Sequence, residues 1–354
     1  MAASPSCSAD REPDGGGQAE DSSEDTDCRR SRPGAPKGLS NGDEVTTEDG
    51  ASPQRFDRRR LLAYGLGGIA AVVAAGAGGV ELVSHGVLPG GQLLDQLDGA
   101  CSVPSQRLSF SPLGPSISNA FYSHARNRTV GYTIAYPPKC GPGSTLPLVV
   151  MLHGFGGNHT NAVEGMSPAQ AVALRMGGEP LAPMAMVTVD GGGGYWNPHP
   201  GDNPMAMVMG ELIPLCQRLG LGRPPHRIGT MGISMGGYGA LLLAEKYPGV
   251  VSAVAAISPA IWTSYAQARA ANGTAYASPA DFAADDAVTH AGALTAMPVR
   301  VASGNSDPFH PGVEALARVL PAGAVVDFSN GCHTGPFFIE QEPPSLAFLA
   351  RHLS

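Results

Sequence analysis

From about residue 107 onward the chain alternates short, nearly unbroken apolar runs with longer stretches in which apolar residues return every three or four positions. The runs fall at residues 129–136, 148–152, 185–189, 227–231, 253–257, 299–302 and 325–328 and predict strands. Helical spacing fills residues 162–175, 205–219, 235–247 and 313–319 between them. Strands that are apolar throughout, not at every second position, are buried on both faces. Their alternation with helices therefore predicts an α/β fold: a mostly parallel central sheet covered by helices on both sides. No internal repeat is visible. In sheets of this kind chemistry gathers beyond the carboxyl ends of the strands, so candidate residues are sought there.

The first hundred residues break this pattern. Residues 1–54 are rich in Gly, Pro, Ser and acid, and carry 5 basic against 12 acidic side chains. Too few aliphatic groups are present to offset the entropy of ordering the chain, so this segment is expected to be a disordered acidic tail. Arg55, Arg58, Arg59 and Arg60 then precede residues 61–80, which contain no charge. Residues 55–83 thus predict a membrane anchor or a twin-arginine-like export signal, with the arginines on the cytoplasmic side. No cleavage site stands out. Residues 84–106 read as a linker, with a short helix near residues 93–97, and residues 107–354 as one catalytic domain. On this reading the domain is exported to the cell envelope, either anchored to the membrane through residues 61–80 or secreted.

Charge narrows the function classes. The tail holds most of the net charge of -8, which leaves the rest of the chain nearly neutral. With no basic stripe interleaved with aromatics, no nucleic-acid partner is expected. Of 6 cysteines none is spaced C-x-x-C, so no metal site is expected either. Cys101, Cys140, Cys216 and Cys332 lie in the body of the chain, and their pairing is left open among three arrangements. Export would favour one or two disulfides.

The chemistry concentrates at the strand ends. After the run at 227–231 comes Gly232-Ile233-Ser234-Met235-Gly236, followed by helical spacing. A bare G-x-S-x-G is expected on the order of half a time by chance in so glycine-rich a chain, so its setting must carry the argument. Strand, turn and helix form the setting of a nucleophile elbow, in which glycines two residues either side of Ser234 admit a strained turn that exposes its Oγ. Asp307 follows the run at 299–302 and His333 follows the run at 325–328. This gives the order nucleophile, acid, histidine. His333 would take the Ser234 proton and Asp307 would fix the imidazole. Asp327 competes as the acid, but it lies inside a strand, whose side chains point into a sheet face. His153-Gly154-Phe155-Gly156-Gly157 follows the run at 148–152; there the backbone N–H of Phe155, with that of Met235, would form an oxyanion hole. Asp190 and four glycines precede Tyr195 and Trp196, which would wall a substrate pocket. His153 and Asp190 are expected to support loops.

Together HGFGGN, VDGGGGYWN, GISMGGYGA, SGNSDPF and GCHTGPFF resemble the esterase family of the α/β hydrolases that includes esterase D (S-formylglutathione hydrolase) and the antigen 85 mycolyltransferases. The resemblance spans roughly residues 120–353. It implies the α/β-hydrolase fold, acyl transfer through a serine ester and no cofactor. The antigen 85 group uses Glu as its acid, whereas this chain offers Asp307, which weakens any transfer of mycolyl specificity. The expected function is a serine carboxylesterase acting on small-molecule or lipid esters. An acyltransferase delivering to a sugar or lipid hydroxyl is the first alternative, and a non-catalytic envelope binding protein on the same fold is the second.

Overall fold

A computed structural model describes residues 99–354. The tail, the arginine-led segment 55–83 and most of the linker lie outside the described residues. Among those described, no helix is long and apolar enough to cross a membrane.

In chain order the described part holds β1 (Ser109–Phe110), β2 (Ser116–Ser123), β3 (Arg128–Ala135), β4 (Leu148–Leu152), α1 (Pro168–Val172), β5 (Leu174–Met176), β6 (Glu179–Pro180) and β7 (Ala185–Val189). Next come α2 (Pro204–Met207) and α3 (Ile213–Arg218), joined by a π-helical turn (Val208–Leu212). They are followed by β8 (Ile228–Ile233), α4 (Met235–Lys246) and β9 (Val251–Ile257). The remainder comprises α5 (Tyr265–Ala271), α6 (Pro279–Ala284), α7 (Ala287–His290), a 3₁₀ turn (Ala291–Ala296), β10 (Val299–Gly304), α8 (His310–Ala317), β11 (Val325–Ser329) and α9 (Gly335–Leu353).

Eight strands form the central sheet in the order β11-β10-β9-β8-β4-β7-β3-β2. From β7 to β11 every neighbouring pair is parallel, whereas β3 runs antiparallel to both β7 and β2. The expected mostly parallel sheet is thus present. A separate antiparallel sheet joins β1, β5 and β6. Alternate residues of one strand enter opposite cores, as the period of two requires. Leu148, Val150 and Leu152 pack with Leu241 to Ala244 of α4, whereas Val149 and Met151 face Leu346, Leu349 and Leu353 of α9. Both faces are therefore sealed. Polar groups left at the strand ends become the place where loops can meet.

Several expectations change. The helix expected over residues 162–175 shrinks to α1: Gly165 adopts φ +66° and a Ser167–Gln170 capping box starts the helix only at Pro168. The helix expected over residues 205–219 is interrupted by the π turn. The linker's last part is not free, because Asn330 donates to the carbonyls of Gly99 and Ser102, and Cys101 is bonded to Cys332. Cys216 is a buried free thiol, pushed by burial up to about 12.

Candidate active site

Ser234 stands between β8 and α4 with φ 57° and ψ -121°, a backbone state that L-residues other than glycine avoid. The turn is held from outside. Ser234 N donates to Ile257 O of β9 (2.9 Å), and its carbonyl accepts from Tyr238 and Ala260 (3.0 Å each). Its two flanking glycines are required by space: a Cβ on Gly232 would lie 2.2 Å from the Gly236 backbone, and one on Gly236 would lie 1.9 Å from Leu152 O. The sequence pattern G-x-S-x-G is thus read out as contact between β8, α4 and β4.

Two loops at the carboxyl ends of β10 and β11 bring the other groups. His333 Nε2 lies 2.8 Å from Ser234 Oγ, and His333 Nδ1 lies 2.8 Å from Asp307 Oδ2. The other oxygen of Asp307 accepts from Phe309 N at 2.8 Å, and its side chain is fully shielded from water. With Asp307 accepting, Nδ1 carries the imidazole proton and Nε2 is left to accept from the serine hydroxyl. The rings of Phe309 and Phe338 stand edge-on to His333, each 5.0 Å between centroids. Asp327 does lie within β11, where its carboxylate receives Arg300 Nη2 at 3.1 Å, away from His333.

The turn after β4 closes the opposite side. His153 is fully buried, donates from Nδ1 to Gly154 O (2.8 Å) and accepts Gly191 N at Nε2 (2.8 Å). Burial lowers its pKa, which favours the neutral ring this pattern needs. Asp190 accepts from Gly131 N and His159 N, tying the following loop to β3. The amides of Phe155 and Met235 are not taken by any acceptor among the described residues; Phe155 lines the same cavity as Ser234, and Met235 follows Ser234 as the first residue of α4. A cavity of about 400 Å³ opens over Ser234 and His333, with Gly154, Phe155, Glu164 and Phe338 in its wall. Phe155 is 67% exposed at its rim.

Tyr195 and Trp196 do not reach this cavity, and the expectation that they wall it is corrected. Trp196 is completely buried beneath His153, to whose carbonyl its Nε1 donates at 3.3 Å. Tyr195 is buried among Tyr238, Trp262 and Tyr276. The preceding glycines serve close packing: a Cβ on Gly191 would fall 2.2 Å from the Trp196 ring, and one on Gly194 2.6 Å from His199. Sequence reasoning missed Glu164 and Phe338 in the wall and Phe309 beside the histidine. The last two stand within the quoted PFF and DPF motifs, but which way a loop aromatic turns is set by tertiary packing.

Residues 123–321 match the family model described as "Putative esterase", and the chain belongs to that family of ester hydrolases and related acyltransferases. The match contains Ser234 and Asp307 and ends before His333. A search of curated proteins returns no match. Among solved structures, an S-formylglutathione hydrolase from Agrobacterium tumefaciens superimposes with a TM-score of 0.56 at 18% identity, covering 70% of this chain and 99% of that one. A ferulic acid esterase gives 0.55 at 15% identity, with 68% and 98% covered. The MPT51 (FbpC1) protein of Mycobacterium tuberculosis gives 0.50 at 17% identity, with 68% and 100% covered. These likenesses establish the α/β-hydrolase fold. Among the described residues no group of three His, Cys, Asp or Glu side chains is placed to hold a metal ion.

Proposed function

We propose that the protein is a serine carboxylesterase whose nucleophile, base and orienting acid are Ser234, His333 and Asp307. The observation that carries this reading is the single imidazole bonded at 2.8 Å to both the serine and the buried carboxylate. His333 Nε2 takes the hydroxyl proton as Ser234 Oγ adds to the ester carbonyl, while Asp307 stabilises the imidazolium. The Phe155 and Met235 amides meet the developing oxyanion. His333 then delivers the proton to the leaving alcohol, leaving an acyl-enzyme that water hydrolyses by the same steps in reverse. A sugar or lipid hydroxyl in place of water would make the same site an acyltransferase. We place the enzyme outside the cytoplasmic membrane, a reading supported by the arginine-led apolar segment 55–80 and by the Cys101–Cys332 disulfide.

A chain-length series of p-nitrophenyl esters tests this. The wild type is expected to hydrolyse at least one ester and to be labelled by a fluorophosphonate, with both lost in Ser234→Ala. Equal rates in the two proteins and no labelling would refute it. Adding sugar or glycolipid acceptors and following the acyl products separates transfer from hydrolysis. A reporter fused to residues 1–105, with Arg58 and Arg59 changed to Lys, tests export; unchanged export would remove the twin-arginine part.

A further inference from the structure

The loop carrying His333 is fastened to a segment that belongs to no strand or helix and precedes the whole sheet. Cys332, the residue before His333, is bonded to Cys101, 231 positions upstream. Asn330 reinforces the same junction, its Nδ2 donating to Ser102 O at 2.8 Å and Gly99 O at 3.4 Å. On its inner side the loop meets the Asp307 loop without a covalent bond, through the His333–Asp307 hydrogen bond and two backbone contacts: Asn305 N to Ser329 O (2.9 Å) and Ser306 N to Gly331 O (3.0 Å). Beyond them, Gly304 and Gly331 touch so closely that a Cβ on Gly304 would lie 2.3 Å from Gly331 O. The histidine loop is thus clamped between the acid loop on one side and residues 99–102 on the other. Only the outer clamp is covalent.

We propose that Cys101 and Asn330 are positioning residues for the ester cleavage put forward above, so that the enzyme is fully active only with the Cys101–Cys332 bond formed. This rests on His333 acting as the base. A crosslink serving stability alone could anchor residues 99–102 to any buried part of the sheet. Here it enters the chain next to the group whose two hydrogen bonds must both be held near 2.8 Å, and misplacement by about 1 Å at a reacting group can cost on the order of 100-fold in rate. Cys332 is buried at 2% exposure, while Cys101 is only partly covered, so an incoming thiolate meets the Cys101 sulfur. Attack there by a dithiol breaks the S–S bond and releases Cys332 as thiolate, which takes a proton. The second thiol of the reagent then closes on the first, giving a cyclic disulfide and two cysteine thiols. In a reducing compartment the base loop would lose the covalent part of its outer clamp, keeping only the Asn330 hydrogen bonds.

The test uses the full chain, in wild-type form and as Cys101→Ala and Asn330→Ala. Cys101→Ala is expected to lower kcat about tenfold with KM within about twofold, and Asn330→Ala, which keeps the disulfide, to lower kcat about threefold. Dithiothreitol is expected to bring the wild type down to the level of Cys101→Ala, and oxidised glutathione to restore it. Melting temperatures are read in parallel. A variant that melts lower but keeps the wild-type kcat shows the clamp to be structural only and overturns the proposal. Should Cys101→Ala not fold, Asn330→Ala decides by the same criterion. A wild type that neither hydrolyses esters nor takes a fluorophosphonate refutes the esterase reading, and this inference with it. A wild type that does both, alongside variants of equal kcat, refutes this inference alone.

Discussion

Asp307 and Asp327 carry the same carboxyl group near the ends of adjacent strands, and their surroundings assign them different work. Asp307 sits in a loop with one oxygen on His333 and the other on Phe309 N, whereas Asp327 sits in β11 against Arg300. Asp307→Asn would present an amide where Nδ1 needs an acceptor, favouring the wrong imidazole tautomer. A fall in kcat of about 10⁴ is expected, by analogy with other serine triads, and the fold should be kept. Asp327→Asn should leave kcat within about twofold and act on stability alone. Steady-state kinetics on both variants decides the assignment; the reverse ranking would move the acid to Asp327. Phe155 separates backbone from side chain in the same way. If its amide is the oxyanion donor, Phe155→Ala keeps that amide and should hold kcat within about threefold, while KM for long apolar esters rises as the exposed ring is lost from the rim. A hundredfold loss of kcat would show that the ring itself, or its effect on the turn, matters to the chemistry.

At the level of elements, the elbow is a three-way contact among β4, β8 and α4. Gly236→Ala is expected to destabilise by more than about 3 kcal/mol, because the clashing atom is a backbone carbonyl that cannot rotate away. Gly249→Ala, where nothing lies within 4 Å, should stay within about 0.5 kcal/mol. Denaturant unfolding of the two variants checks this, and equal midpoints would contradict it. The elbow was readable because a single short pattern encodes both its strain and its neighbours. The parallel strands were readable for a related reason, since burial on both faces makes their composition continuous. β2 was not: six of its eight residues are exposed and no unbroken apolar run marks it, although it pairs along its length with β3. The last helix, α9, was hidden by Pro343 and Pro344 in its middle, which in sequence signal a break. Tyr195 and Trp196 show a third limit. Aromatics beside a glycine run look like a pocket wall, but whether they face a cavity or a core depends on packing against Gly239 and His153, distant in sequence.

Across the whole molecule, α4 links the candidate site to a second polar cluster at its far end. Glu245 lies eleven residues after Ser234, about 16 Å along the helix axis, so changes there need not disturb the chemistry. It is 7% exposed, and neither carboxyl oxygen finds a partner among the described residues. Burial, with Asp286 adding to it, pushes its carboxyl up to about 9. The nearby Lys246 is engaged with Asp285. The native state therefore keeps the Glu245 proton up to about pH 9, whereas the unfolded chain releases it near an ordinary carboxylic value of about 4.3. Between those limits the unfolded state binds fewer protons, so this group makes stability fall as pH rises, by up to about 1.4 kcal/mol per pH unit. Glu245→Gln removes the titration while keeping the shape. Its melting temperature should match the wild type near pH 4.5 and exceed it increasingly towards pH 8, with ester hydrolysis unchanged throughout. Glu342, whose carboxyl burial also raises, is present in both proteins and cancels in the comparison. A gain independent of pH would show that Glu245 is already ionised in the folded protein. A gain that also altered kcat would show that the two ends of α4 are coupled.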